Sequence, residues 1–150
     1  MSLSPKIAIV GGGHAGVEAA LAISRMGGSC YLITMDSNSI ARMSCNPAIG
    51  GLAKGHLVRE IDALGGIMGL AADKTAIQFK TLNMSKGRAV WSPRAQVDKL
   101  EYSQFVKDIV LADKNITIIS KEVVDICVDN LKISACVLKG GERVPVESLI

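Results

Sequence analysis

Two short stretches of this chain carry residue types at spacings that could do chemistry. Gly11-Gly12-Gly13-His14-Ala15-Gly16 fits the pattern G-x-G-x-x-G. In that pattern the first glycine permits a tight turn, the second lets backbone approach a pyrophosphate, and the third lets a helix pack on a strand. A helix starting there faces bound phosphates with unpaired N–H groups and the positive end of its dipole. Many such folds hold the ribose hydroxyls with an acid about 20 residues further on. Here that place falls at Thr34, and the nearest acid is Asp36. Ribose recognition is left to a hydroxyl, to backbone groups, or to Asp36 after a turn, which counts against an ordinary NAD dehydrogenase.

The second stretch is Ser44-Cys45-Asn46-Pro47-Ala48-Ile49-Gly50-Gly51. A thiol just ahead of a helix would lie near its N-terminus, where the dipole favours thiolate. Cys45 is then either a nucleophile or a small packing residue, and the residues alone leave both readings open. Cys30, Cys127 and Cys136 fall within strand patterns and read as core. His14 and His56 lack ligand spacing, so no metal site is expected. Residues 74–99 are locally basic, with Lys74, Lys80, Lys86, Arg88, Arg94 and Lys99 against Asp98, and Trp91 lies among them. That mixture suits phosphate contacts and a stacked base, or a solvated surface with the indole packed inside.

The elements that must position these residues follow from periodicity. Lys6–Val10 reads as a buried parallel strand, Val17–Met26 as a helix closed by Gly27-Gly28, and Ser29–Thr34 as the second strand of a βαβ unit. Met35–Gly51 has no lasting period and reads as a long functional loop. Leu52–Leu64 has Leu57, Val58, Ile61 and Leu64 at helical spacing. Thr75–Leu82 alternates and reads as extended, with one wet face. Ser92-Pro93 reads as a helix start running to about Ala112. Beyond it lie the β-rich runs Ile116–Ile119, Glu122–Val128, Lys132–Leu138 and Arg143–Ile150, with turns at Asp129-Asn130 and Gly140-Gly141. The last run stops in mid-strand, so the chain is expected to end before its protein does.

Composition narrows the class. With 49% hydrophobic and 21% charged residues over 150 positions, the chain can bury a core and is not a disordered one. A net charge of +3 is too mild to mark a nucleic-acid binder by itself. No apolar run approaches the roughly 20 residues of a membrane span. No export signal is expected, because the apolar stretch Ile7–Val10 runs straight into glycines. Four unclustered cysteines point to a reducing compartment, and a cytoplasmic location is expected.

Four blocks, GGGHAG at 11–16, SCNPAIGG at 44–51, KGHLVREIDALGG at 54–66, and IQFKTLNMSKG at 77–87 followed by RAQ at 94–96, together resemble the glucose-inhibited division protein A family. This is the FAD-binding subunit of the bacterial tRNA uridine 5-carboxymethylaminomethyl modification enzyme. The resemblance implies an α/β fold: a Rossmann-like FAD-binding domain of the glutathione-reductase-like kind, with a parallel sheet and an antiparallel β-meander, cut short at its C-terminal end. Residues 1–150 would be its N-terminal part, with an insertion at about 35–92, and the family's remaining domains would lie outside.

The resemblance further implies FAD-dependent addition of a carboxymethylaminomethyl or aminomethyl group to C5 of the tRNA wobble uridine. Methylene-tetrahydrofolate would supply the carbon, NADH the reducing equivalents bound outside this chain, and a GTPase would be the partner of a homodimer. Gly11, Gly12, Gly13, His14, Ala15 and Gly16 would cradle FAD, with Thr34 and Val123 on its adenosine side. Asn46, Pro47, Gly50 and Gly51 would border the isoalloxazine, Cys45 would be catalytic, and Lys86, Arg88 and Arg94 would contact tRNA. Arg88 stands where the family usually has proline, and Trp91-Ser92-Pro93 replaces a more basic run. The rivals are a folate-dependent tRNA uridine methyltransferase, which lacks the SCNPAIGG block and typically has an acid after the second strand, and a non-catalytic nucleotide- or RNA-binding module.

Overall fold

A computed structural model describes residues 5–150. Ile7–Val10 forms β1, with Ala8 and Ile9 buried. Helix α1, His14–Arg25, buries Val17, Ala20 and Leu21, the spacing of a helix with one apolar stripe. It closes where Gly28 N–H donates to the Ile23 carbonyl at 3.0 Å and Gly27 takes φ +80°, a left-handed cap natural to glycine. Then come β2, Cys30–Thr34, and a single 3-10 turn at Ser37–Ser39.

The next elements are β3, Ala48–Gly50; α2, Lys54–Ala63; α3, Ile67–Thr75; β4, Ala76–Leu82; β5, Ser92–Val97; and α4, Lys99–Ala112. The chain continues as β6, Ile116–Ser120; β7, Val123–Asp129; β8, Lys132–Leu138; β9, Arg143–Pro145; and β10, Ser148–Leu149.

Contacts divide the chain into two units, one of residues up to 41 together with 108–150, the other of 42–107. The first holds a parallel sheet in the order β10-β1-β2-β6 and an antiparallel β7-β8-β9 meander. One buried cluster joins the two sheets: Ala8 and Ile33 meet Cys136, Leu138, Val144 and Val146. Burying a side chain of the size of Ile33 contributes about 1.5–3 kcal/mol. This is the expected α/β architecture with a parallel sheet and a meander. The second unit holds the sheet β3-β5-β4 with α2 and α3 against it.

Several sequence expectations are corrected. Ser92-Pro93 opens strand β5, not a helix. Ala95 and Val97 are buried at alternate positions, and a period of two overrides the Ser-Pro cap signal. The helix starts about two turns later, at Lys99, where Asp98 Oδ1 accepts from the N–H groups of Leu100 at 2.8 Å and Glu101 at 2.9 Å, a side-chain N-cap. The segment 35–51 is not loop throughout, since β3 pairs with β5 in a register visible only across 46 residues of chain. Helix α3 has no counterpart in the sequence reading. Ile67, Ala71, Ala72 and Thr75 give it a buried stripe, masked by the glycines at 65, 66 and 69. Both alternating sides of β4 carry exposed residues, with Ile77 and Phe79 open as well as Gln78 and Lys80. The run from Arg143 splits, its first part finishing the meander and its second joining β1 in the parallel sheet. Among the described residues no helix is long and apolar enough to cross a membrane.

The β7–β8 hairpin turns through Asn130 and Leu131 at φ +49° and +63°, one residue later than the sequence suggested. A two-residue turn with both central residues at positive φ matches the right-handed strand twist. Leucine there carries left-handed strain of about 1–2 kcal/mol and is 99% exposed, so it has no packing to lose. Leu131→Gly is expected to stabilise the protein by about 1 kcal/mol, raising the melting temperature by roughly 2–4 °C. An unchanged or lower value in thermal unfolding would show that the turn is unstrained.

Candidate functional site

The sequence-chosen residues fall in two groups, each gathered within its own unit. In the first unit the glycine turn leaves β1 at its carboxyl end, between β2 on one side and β10 on the other. The strand order reverses there, the topological switch point at which open α/β sheets bind ligands. Gly11 sits at φ +115° and its N–H donates to the Ile33 carbonyl at 2.8 Å. The Gly12 carbonyl accepts from Ala41 N–H at 2.8 Å.

A Cβ added to each glycine meets different surroundings. At Gly12 it would lie 3.1 Å from Thr34 Oγ1, and at Gly16 only 1.9 Å from the Gly11 carbonyl oxygen. At Gly13 it would meet nothing within 4 Å. Gly16 and Gly11 are therefore needed by the turn itself, whereas the space over Gly13 is open to a ligand. Gly13 is the N-cap of α1 and the first turn holds no acidic residue. The N–H groups of Ala15 and Gly16 precede any intrahelical acceptor, so the helix offers an anion site at the open glycine. His14 is half-buried; burial, opposed by Glu18, holds its imidazole below the ordinary pKa, so it is uncharged at neutral pH.

Thr34 ends β2 against Gly12. The Asp36 carboxylate is taken by its own turn, Oδ1 accepting from Asn38 N–H at 2.8 Å and Oδ2 from the Ser39 hydroxyl at 2.9 Å. The Thr34 hydroxyl, not Asp36, is the polar group beside the glycine turn. Val123 opens β7 just beyond the carboxyl end of β6, which pairs with β2 through Thr34 and Ser120.

The second unit holds the thiol loop. Pro47 carbonyl accepts from Val97 N–H and Pro93 carbonyl from Gly51 N–H, both at 2.9 Å, which ties the loop to β5. A Cβ at Gly50 would lie 2.5 Å from the Pro93 oxygen, so only glycine permits this approach, and Asn46 closes a tight turn with Ala48 N–H. Cys45 is exposed, and its sulfur accepts from the Ser44 hydroxyl at 3.8 Å. The expected placement of Cys45 at a helix N-terminus is overturned. Strand β3 intervenes, and α2 starts only at Lys54, behind Ala53.

Lys86 and Arg88 lie in the loop joining β4 to β5. The Arg88 guanidinium stands 5.8 Å from the Trp91 ring centroid, and the indole N–H donates to the Met84 carbonyl at 3.3 Å. Arg94 lies on β5. A cleft of about 380 Å³ opens between α2, α3 and the sheet, with Arg59, Asp62, Asp73 and Phe79 on its walls. Gly50 and Arg94 line it too. The other four were missed by the sequence reading, although Arg59 and Asp62 share a helix face. Cys30 and Cys136 are buried as expected; Cys127 is only half-buried.

A family model described as glucose inhibited division protein A matches residues 6–150. The chain is 50% identical over 144 residues to the tRNA uridine 5-carboxymethylaminomethyl modification enzyme MnmG of Chlorobaculum tepidum, covering 96% of this chain and 23% of that protein. It is 56% identical over 124 residues to the protein of the same name from Aquifex aeolicus, covering 83% and 20%. Among solved structures, form II crystals of Aquifex aeolicus GidA superpose with a TM-score of 0.91 at 49% identity, over 96% of this chain and 24% of that one. The chain thus spans about a quarter of the length of the relatives it matches.

Gly16→Ala is expected to cost more than about 2 kcal/mol, because backbone must move to clear the Gly11 oxygen. Gly13→Ala should cost no more than about 1 kcal/mol, the difference between glycine and alanine at an N-cap. Equal melting temperatures for the two variants would contradict this turn geometry.

Burial raises the Cys30 thiol to about 11, with Asp113 adding to the shift, and burial also raises Cys136. Each folded thiol holds its proton more tightly than the unfolded one. The Cys30 contribution to stability is therefore complete below the unfolded pKa and is lost as pH rises from about 9 towards 11, and that of Cys136 has the same sign. At pH 8 a disulfide reagent should titrate Cys45 rapidly and reach Cys30 and Cys136 only on unfolding. Rapid reaction of all four would show the core to be open.

Proposed function

Because this chain belongs to the glucose-inhibited division protein A family, we propose that it is the flavin-binding part of an FAD-dependent enzyme that modifies C5 of the tRNA wobble uridine. The observation that carries this reading is the glycine turn, closed to side chains at Gly16 and open at Gly13, with the start of α1 behind it. The relatives' printed name supplies the class of reaction. The full protein would add a carboxymethylaminomethyl or aminomethyl group, taking its carbon from methylene-tetrahydrofolate and reducing equivalents from NADH. It would work as a cytoplasmic homodimer with a GTPase partner.

The residues fit a dinucleotide. The first turn of α1 would hold the FAD pyrophosphate over Gly13, with His14 neutral so that no local cation competes for it. The Thr34 hydroxyl would take the ribose, and Val123 backbone the adenine. Asn46, Pro47, Gly50 and Gly51 would border the isoalloxazine, their bonds to β5 fixing the edge they present. FAD, when bound, supplies two-electron redox chemistry at that ring.

Cys45 serves the uridine. Its thiolate adds to C6, the C5–C6 electrons move onto the O4 carbonyl, and C5 becomes nucleophilic towards the one-carbon unit. Loss of the C5 proton and expulsion of the thiolate then restore the ring. The exposure of the sulfur favours this role over packing. Lys86, Arg88 and Arg94 would contact tRNA, with the Arg88–Trp91 pair offering a cation and a ring face to it.

In the full chain Gly13→Val is expected to fold but to lose FAD, read from absorbance at visible wavelengths and from released nucleotide. Cys45→Ser should keep FAD and lose wobble-uridine modification by at least about 100-fold, measured on the nucleosides of treated tRNA. Stoichiometric flavin in folded Gly13→Val would move the cofactor elsewhere. Full modification by Cys45→Ser would remove the thiol from the chemistry.

A further inference from the structure

On one face of the β3-β5-β4 sheet, pairing sets like beside like. Gln78 stands opposite Gln96, and Lys80 opposite Arg94. Residues two apart on a strand share a face, so the four side chains form one array. Gly50 continues the Lys80–Arg94 row onto β3, where the Pro93 carbonyl leaves no room for a third side chain. The Arg94 stem runs beside Gly51, where a Cβ would come within 3.9 Å of Arg94 Cδ and 3.7 Å of Leu82 Cδ1. Leu82 belongs to the same face, two residues beyond Lys80.

Two cations directly opposite each other repel. Arg94 is half-buried, so water screens the repulsion less than at an open surface. The ion pairs Lys6 with Glu147, Lys121 with Glu142 and Lys139 with Glu122 all lie in the other unit. Asp62 and Asp73 line the same cleft as Lys80 and Arg94, yet among the described residues no carboxylate is paired with either cation. An anion between the two would turn this repulsion into attraction.

We infer that Lys80, Arg94, Gln78 and Gln96 form a platform for a phosphodiester of the RNA substrate, the cations on its phosphate oxygens and the amides on the adjoining sugar or base edge. This rests on the tRNA reading above and adds Lys80, Gln78 and Gln96 to the site. Carboxamides both donate and accept, which suits a nucleotide better than an isolated anion. The β4–β5 hairpin carries on from this row into the loop bearing Lys86, Arg88 and exposed Trp91. A strand of nucleic acid would use the whole track, whereas a single small anion would use only its start.

The test is binding of tRNA to the full chain at several salt concentrations. Lys80→Gln should weaken binding about three- to ten-fold and lower the slope of log affinity against log salt by about one. Flavin content should stay at the wild-type level, and the melting temperature should not fall, because the substitution relieves a repulsion. Wild-type affinity and slope in this variant would overturn the platform and leave the tRNA reading standing. Loss of flavin with unchanged tRNA binding would assign the anion to the cofactor and also overturn it. Failure of the unsubstituted chain to bind tRNA would overturn the tRNA reading and the platform with it.

Discussion

The first unit depends on the approach of residue 16 to the carbonyl oxygen of residue 11, where even one methyl group would sit 1.9 Å from that oxygen. That contact lets α1 start at His14, only three glycines after a strand ending at Val10. A helix started so tightly directs its N-terminal N–H groups at the carboxyl edge of the parallel sheet. The crossover then returns as β2, and Thr34 arrives beside Gly12 because β1 and β2 pair in register from Ile7 with Cys30 to Val10 with Ile33. The open space over Gly13 is what remains once its neighbours have been used by the fold.

In the second unit β5 has the corresponding role. Its backbone bonds Pro47 and Gly51 and so fixes the two ends of the short strand that follows Cys45. Its inward residues Ala95 and Val97 are buried, while its outward Arg94 faces Lys80. One six-residue strand thus holds the thiol loop, anchors the unit and carries the cationic row. On the adjoining loop the Arg88 guanidinium lies over the Trp91 ring, a cation against an aromatic face.

Much of the first unit was legible in the chain because its signals are local. A β-branched run, a glycine turn and an alanine-rich helix each report their own conformation, and β8 was read at its observed bounds from Lys132 to Leu138. The second unit was harder for definite reasons. Ser-Pro marks helix starts and strand ends alike, so β5 was taken for the first turns of α4. The three residues of β3 have no periodicity of their own. The glycines around α3 concealed a stripe of four buried residues. The supposed helix-end position of Cys45 failed for the same cause, since β3 lies between the thiol and α2.

The sequence by itself determined the family, the turn that fits a pyrophosphate and the candidate residues, because these depend on residue type at fixed short spacing. Only the tertiary structure decided which candidates share a surface. It placed the Gly11–Gly16 turn with Thr34 and Val123 in one unit and the thiol loop in the other, committed Asp36 to its own turn, and set Lys80 opposite Arg94. Register between strands is fixed by hydrogen bonds and burial over tens of residues, so a juxtaposition such as Lys80 with Arg94 leaves no trace in either stretch of sequence alone.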